Sequence, residues 1–198
     1  MATSDVAFTV SVKAIQTRKG SRAAYAKMAA RGDWESRITP ELAGFIAEQN
    51  SVFLATASAD GQPYIQHRGG PKGFLRVVDD HTLGFVDYAG NRQYITTGNL
   101  AENPKAQLFL MDYAHRRRIK IWGTARVIEG DAALIAKLMP DDPDANAEQV
   151  VLFTVTAWDV NCPQHIPQKV DAGDVAPVIE SLQRRIGELE AQLRLRTG

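Results

Sequence analysis

The chain has 198 residues, enough for one domain with a substantial core plus terminal extensions and too few for two comfortable domains. Lysine plus arginine equals aspartate plus glutamate at 23 each, so the whole-molecule field recruits neither nucleic acid nor an anionic membrane, and any basic site must be local. Cys162 is the only cysteine, which excludes an internal disulfide and a thiolate metal cluster within one chain. No metal site is expected. The N-terminus carries no apolar run after a basic start and no later stretch is long enough to span a bilayer, so the expected compartment is a reduced cytoplasm.

In chain order, residues 21–31 (SRAAYAKMAAR) are rich in alanine and stop at Gly32, which predicts a surface helix. Thr39, Pro40 and Glu41 supply a cap, a proline for the first helical position and an acid near the helix dipole. Leu42, Phe45 and Ile46 then share one face, so this second helix should pack on the core. From Val52 the period becomes that of a strand. VFLATAS, the Asp60-Gly61 turn and residues 63–67 predict a β-hairpin, and residues 74–78, Asp79-Asp80 and residues 82–86 predict a second strand pair.

Residues 81–104 (HTLGFVDYAGNRQYITTGNLAENP) read as a strand entering a Gly-Asn-Arg turn and a short helix, with Gly90 freeing the backbone and Arg92 in the first helical turn. Residues 106–112 predict a strand, and residues 119–129 a longer one with Gly123 at a bend or bulge. A short helix over 131–139, a polar loop PDDPDANAE and a seventh strand over 150–160 follow. Antiparallel strands with few helices between them favour a barrel or sandwich over a doubly wound sheet. In the tail, Ile179, Leu182, Ile186, Leu189 and Leu193 alternate spacings of three and four, with Ile at a and Leu at d and Pro177 in the first turn. Such a helix either docks on its own domain or pairs between two chains. The expected division is an extension over residues 1–40 with one helix, a domain over 41–170 and a heptad helix over 171–198.

Several stretches carry candidate chemistry. In Gly90-Asn91-Arg92-Gln93, backbone N–H groups, the Asn91 amide and the Arg92 fork could clamp a phosphate dianion, or the stretch is an ordinary turn with a solvated arginine. Gln66-His67-Arg68-Gly69-Gly70 closes a strand beside glycines that would let a flat ligand approach the backbone, although His67 could equally be a surface imidazole. Arg116-Arg117-Arg118 with Lys120 is too short and too poor in aromatics for a nucleic-acid patch. On a strand, Arg116, Arg118 and Lys120 would share a face and offer a second cationic contact. The stiff loop 161–167 could hold Gln164 and His165 over a ligand, or simply be an exit loop. A thiolate at Cys162 beside His165 lacks a visible orienting group, and a lone cysteine is usually inert packing.

Taken in order, PYIQHRGG, LGFVDYAGNRQYITTGNLAENPKAQLFLMD and RRRIKIWGTARVIE make residues 42–167 resemble the FMN-binding split-barrel proteins related to pyridoxamine 5'-phosphate oxidase. The resemblance implies a mainly β fold, a six-stranded antiparallel Greek-key barrel with flanking helices, and a homodimer with FMN where the subunits meet. It further implies that Gln66, His67 and Arg68 line the ribityl and ring side and that Asp87 and Tyr88 flank the flavin. Asn91 and Arg92 would hold phosphate, Arg118 would come from the second subunit, and Trp158 with loop 161–167 would cover the ring. The C-terminal Arg-Leu-His-Asp-Arg type motif of the true oxidases is missing, which puts the vitamin substrate in doubt. The function so implied is an FMN-dependent oxidoreductase taking hydride from a reduced nicotinamide, NADH or NADPH, for a small-molecule acceptor, with His165 or His67 as proton donor. A flavin-storage protein, or a split-barrel module for haem or a deazaflavin, is the alternative.

Overall fold

The computed structural model describes residues 3–140, 146–161 and 163–197. Cys162, on which the thiolate reading rests, lies outside the described residues, as do residues 141–145 of the expected polar loop. Two compact units divide the chain: one holds residues 1–111 and 118–162, the other residues 112–117 and 163–198. The N-terminal extension therefore belongs to the same unit as the sheet rather than standing apart.

That extension holds two helices where one was expected. After a 3-10 turn at Thr3–Val6 come α1 (Val10–Lys19) and α2 (Arg22–Arg31). Helix α1 lacks an apolar stripe, which is why periodicity misses it, but its ends are well marked. Thr9 accepts from the Val12 N–H, and Gly20 ends the helix at φ 81, in the left-handed region that glycine occupies at no steric cost. Trp34 stacks on Trp122 at a centroid distance of 4.8 Å, and Phe8 packs against both Trp34 and Tyr25 at 5.1 Å, so aromatic faces fasten the extension to the sheet.

Helix α3 (Pro40–Ala47) forms as its sequence dictates. Thr39 accepts from the Leu42 N–H at 3.3 Å, proline opens the first turn, and Leu42, Phe45 and Ile46 are buried. Each of these apolar side chains stabilises the fold by roughly 1.5–3 kcal/mol on burial.

One seven-stranded antiparallel sheet follows: β1 (Ser51–Ala57), β2 (Pro63–Gly69), β3 (Arg76–Val77), β4 (Thr82–Tyr88), β5 (Lys105–Asp112), β6 (Arg117–Glu129) and β7 (Ala147–Val160). Its order is β2-β1-β5-β6-β7-β4-β3, so β1–β2, β3–β4 and β5–β6–β7 are local pairings joined by crossovers. The fold is mainly β with flanking helices, α4 (Ile95–Glu102), α5 (Ala132–Leu138) and α6 (Ala172–Thr197). Strand β1 alternates buried and half-buried residues, directing Val52 and Leu54 into a core shared with Leu83, Phe85, Leu108, Leu110, Ile121 and Phe153.

Gly123 sits where the β6–β7 register shifts, as its position in the sequence suggested. A Cβ there would stand 2.0 Å from the Thr154 carbonyl oxygen, so only glycine lets the two strands approach. Strand β7 begins at Ala147, earlier than the expected Val150, which brings Glu148 and Gln149 into the sheet. Helix α6 likewise starts at Ala172, so Pro177 stands inside the helix rather than in its first turn. No described helix is long and apolar enough to cross a membrane.

Candidate functional site

Strand β2 sets the first wall of the site. Its residues alternate, so Tyr64, Gln66 and Arg68 line a cleft while His67 points to the other face and meets Phe53 edge-on at 5.7 Å. His67 is thus not among the cleft residues, contrary to the reading that placed it beside Gln66 and Arg68. Gly69 also serves packing: a Cβ there would lie 3.0 Å from the His67 ring and 3.2 Å from the Asn50 carbonyl oxygen.

The second wall comes from the end of β4. A register shift between Asp87 and Tyr88 bends the strand as it leaves the sheet. Asp87 is 8% exposed and stands opposite Gln149 of β7. Its carboxylate lies 3.0 Å from Arg68 Nε in an ion pair whose Nε–H is not directed along the contact, and it accepts from Arg68 Nη2 at 3.3 Å. Gln149 Nε2 donates to Asp87 at 2.9 Å and to the Thr97 hydroxyl at 3.2 Å. Arg68 is therefore held in place and largely neutralised by Asp87, leaving Arg92 as the cation that can answer an incoming anion.

The third wall is the turn before α4. Glycine was expected to supply its unusual backbone, but the positive φ values fall on Arg92 (56°) and Tyr94 (51°), and Gly90 has none. Arg92 consequently precedes the helix instead of occupying its first turn, since α4 opens at Ile95. Left-handed backbone at two non-glycine residues is uncommon and costly, and persists where surrounding structure enforces it. Asn91 Oδ1 accepts from the Gln93 N–H at 3.2 Å, so Asn91 shapes the turn with its carbonyl oxygen and keeps only its amide N–H groups for a ligand.

Helix α4 begins without a side-chain cap. The first bond within it is Gly98 N–H to the Tyr94 carbonyl at 2.8 Å, so the N–H groups of Ile95, Thr96 and Thr97 are the open donors of its first turn, and all three residues line the cleft. The helix is anchored by Thr96 donating to Gln66 at 3.0 Å and Asn99 donating to Thr56 at 3.0 Å. Tyr94 donates to Glu148 at 2.6 Å, a bond that raises the phenol pKa above its usual value. Glu148 and Glu129 line an adjoining hollow and make that side repellent to an anion. Arg92 and the N–H groups that open α4 line the cleft and give it positive potential.

The cleft encloses about 180 Å³. Complete cofactor sites span roughly 300–1,000 Å³, so this one suits the phosphate and polyol end of a larger ligand, with the remainder covered from outside. The donor set fits a phosphate monoester of that kind. Tyr64, Thr96, Thr97, Glu148 and Gln149 were not anticipated. Tyr64 was legible from its two-residue spacing to Gln66, but Gln149 enters only through the β4–β7 register.

The remaining expected residues stand elsewhere. Trp158 pairs with Ile121 of β6 near the other end of the β6–β7 ladder, about 30 Å along the strand from Gln149 at the usual rise per residue. Its indole N–H donates to the Arg37 carbonyl at 2.8 Å, and its backbone bridges Glu35. Arg118 lies at the same end, where its Nε and the Asn161 Oδ1 are buried without a hydrogen-bond partner. Arg116, in a turn at φ 52, is outside the strand it was expected to share with Arg118. In the second unit, Gln164 and His165 are exposed on a turn, with His165 at φ 64 and Ile166 buried behind it.

A family model described as pyridoxamine 5'-phosphate oxidase matches residues 38–162. Among solved structures, HupZ of Group A Streptococcus is 23% identical over 67% of this chain and 99% of its own, with a TM-score of 0.51. An FMN-binding protein from Syntrophomonas wolfei is 11% identical over 74% of this chain and 97% of its own, with a TM-score of 0.49. At 23% identity the HupZ likeness concerns the fold alone. No curated protein matches the sequence.

Proposed function

We propose, from the premise that this chain belongs to the pyridoxamine 5'-phosphate oxidase family, that it binds FMN and acts as an FMN-dependent oxidoreductase. In this reading the electrons come from a reduced nicotinamide and leave to a small-molecule acceptor. The observation that carries it is the convergence of Arg92 with the uncapped first turn of α4 on one cleft of polyol-and-phosphate size.

Bound flavin would supply the redox chemistry, and the residues of this chain would supply position and electrostatics. Arg92 and the N–H groups of Ile95, Thr96 and Thr97 would hold the phosphate. Gln66 and Arg68 would line the polyol, with Asp87 and Gln149 fixing Arg68. Tyr88, at the cleft wall, would flank the flavin. Arg118, Trp158, Gln164 and His165 would act from the second subunit of a homodimer, completing the ring end.

No histidine lines the described cleft, which favours one rival: a protein that binds flavin without turning it over. The visible spectrum of the purified protein, followed under anaerobic NADH and NADPH, separates the readings. A yellow protein bleached by either nicotinamide is the expected result. Yellow protein that resists both identifies the storage reading or another reductant, and protein that takes up haem or a deazaflavin but not FMN overturns the proposal.

A further inference from the structure

Helix α6 runs 26 residues, about 39 Å at 1.5 Å per residue, and carries an apolar stripe in the open. Ile179 is 48% exposed, Leu182 58%, Ile186 55%, Leu189 46% and Leu193 63%. Their spacings of three and four keep them on one seam, with Ile179 and Ile186 at a and Leu182 and Leu189 at d, the choice that favours two strands in parallel pairing, and Leu193 at the last a. In proteins an amphipathic helix draws most of its stability from packing its apolar face, so the seam calls for a partner.

Charge identifies the partner. In this register Arg185 stands at g and Glu190 at e. When two copies lie parallel and in register, a g residue faces the e residue five positions on in the other chain, so Arg185 meets Glu190 twice by symmetry. Antiparallel pairing instead brings g to g and e to e, so it never sets Arg185 against Glu190. Pro177 and Gly187 fall at f and b, which face away from the seam, so neither obstructs the contact. Arg185 bonds Glu188 of its own helix at 3.0 Å, but both are more than half exposed, and such a surface pair is weak enough to be exchanged.

We propose that α6 forms a parallel, in-register, two-stranded coil with α6 of a second copy of this chain, fixed in register by Arg185–Glu190 pairs between copies. This pairing does not depend on whether the protein binds flavin.

Single cysteines in the full-length chain, with Cys162→Ser as background, test it. Under mild oxidation Leu189→Cys, at d, should cross-link two chains at least about tenfold faster than Ala191→Cys, at f, because pairing raises the local concentration of seam positions only. Adding Glu190→Arg to Leu189→Cys should slow the reaction through Arg–Arg repulsion, and adding Arg185→Glu as well should restore it. Equal rates at positions 189 and 191, or no cross-linking at either, overturns the coil. A fast reaction at position 189 that ignores both charge changes overturns the proposed register.

Discussion

The β6–β7 hairpin has two ends built to opposite purposes. At the Gln149 end, polar side chains from β2, β4 and β7 converge on the uncapped start of α4, and donors are left open. At the Trp158 end, the chain closes on itself: Trp122 stacks on Trp34, and the Trp158 indole is bonded to the Arg37 carbonyl. The same pair of strands thus yields a ligand-ready end and a self-packed end. The aromatic residues of the self-packed end are spent on contacts within the chain, whereas unfilled N–H groups beside a cation invite an anion.

The largest expected effect strikes both ends at once. Gly123→Ala places a Cβ 2.0 Å from the Thr154 carbonyl oxygen and must reshape the bulge that aligns the strands. A loss of about 3 kcal/mol is expected, read as a fall of roughly 10 °C in Tm. Asp87→Asn acts on the polar end alone. It leaves the Arg68 guanidinium, 16% exposed, without its counter-charge, so a stability loss of about 2–3 kcal/mol in chemical denaturation should accompany weaker FMN binding.

Acid should loosen the self-packed end first. Burial pushes the Asp33 carboxyl up, but hydrogen bonds led by those from Ser4 outweigh it and hold its pKa below the ordinary aspartate range. Because the folded value is depressed, the stabilisation is complete above the unfolded value and is lost as pH falls through the folded one. Tryptophan fluorescence reporting on Trp34 should therefore shift below about pH 4, the ordinary aspartate range. A signal flat to pH 2 contradicts the assignment. The smallest effect belongs to His67→Ala: with its ring on the far face of β2, FMN affinity should change by no more than about 0.5 kcal/mol.

Much of this architecture was legible in local sequence. Thr39-Pro40-Glu41, the Asp60-Gly61 turn and Gly123 each act through their immediate neighbours, and each performs its expected structural role. The glycine-flanked polar runs themselves marked Gln66, Arg68 and residues 91–93, and family resemblance supplied the split barrel and added Asp87 and Tyr88. His67 stands apart from the cleft that Gln66 and Arg68 line, because strand alternation separates residues that a contiguous motif presents as one surface. Gln149 was not legible at all, since it joins Asp87 only when β4 and β7 pair across an interval of 62 residues. Helix α1 was missed because its signal lies in its caps and not in a hydrophobic stripe.

The central claim is that Arg92 and the start of α4 hold the phosphate end of FMN. Titrating FMN and riboflavin into the wild-type protein and into Arg92→Ala tests it directly, since the two ligands differ only in the phosphate. FMN should bind about ten- to a hundredfold more weakly to the variant, the range for losing a charged hydrogen bond, with riboflavin unchanged. Equal loss for both ligands, or no loss for either, would place the phosphate somewhere else.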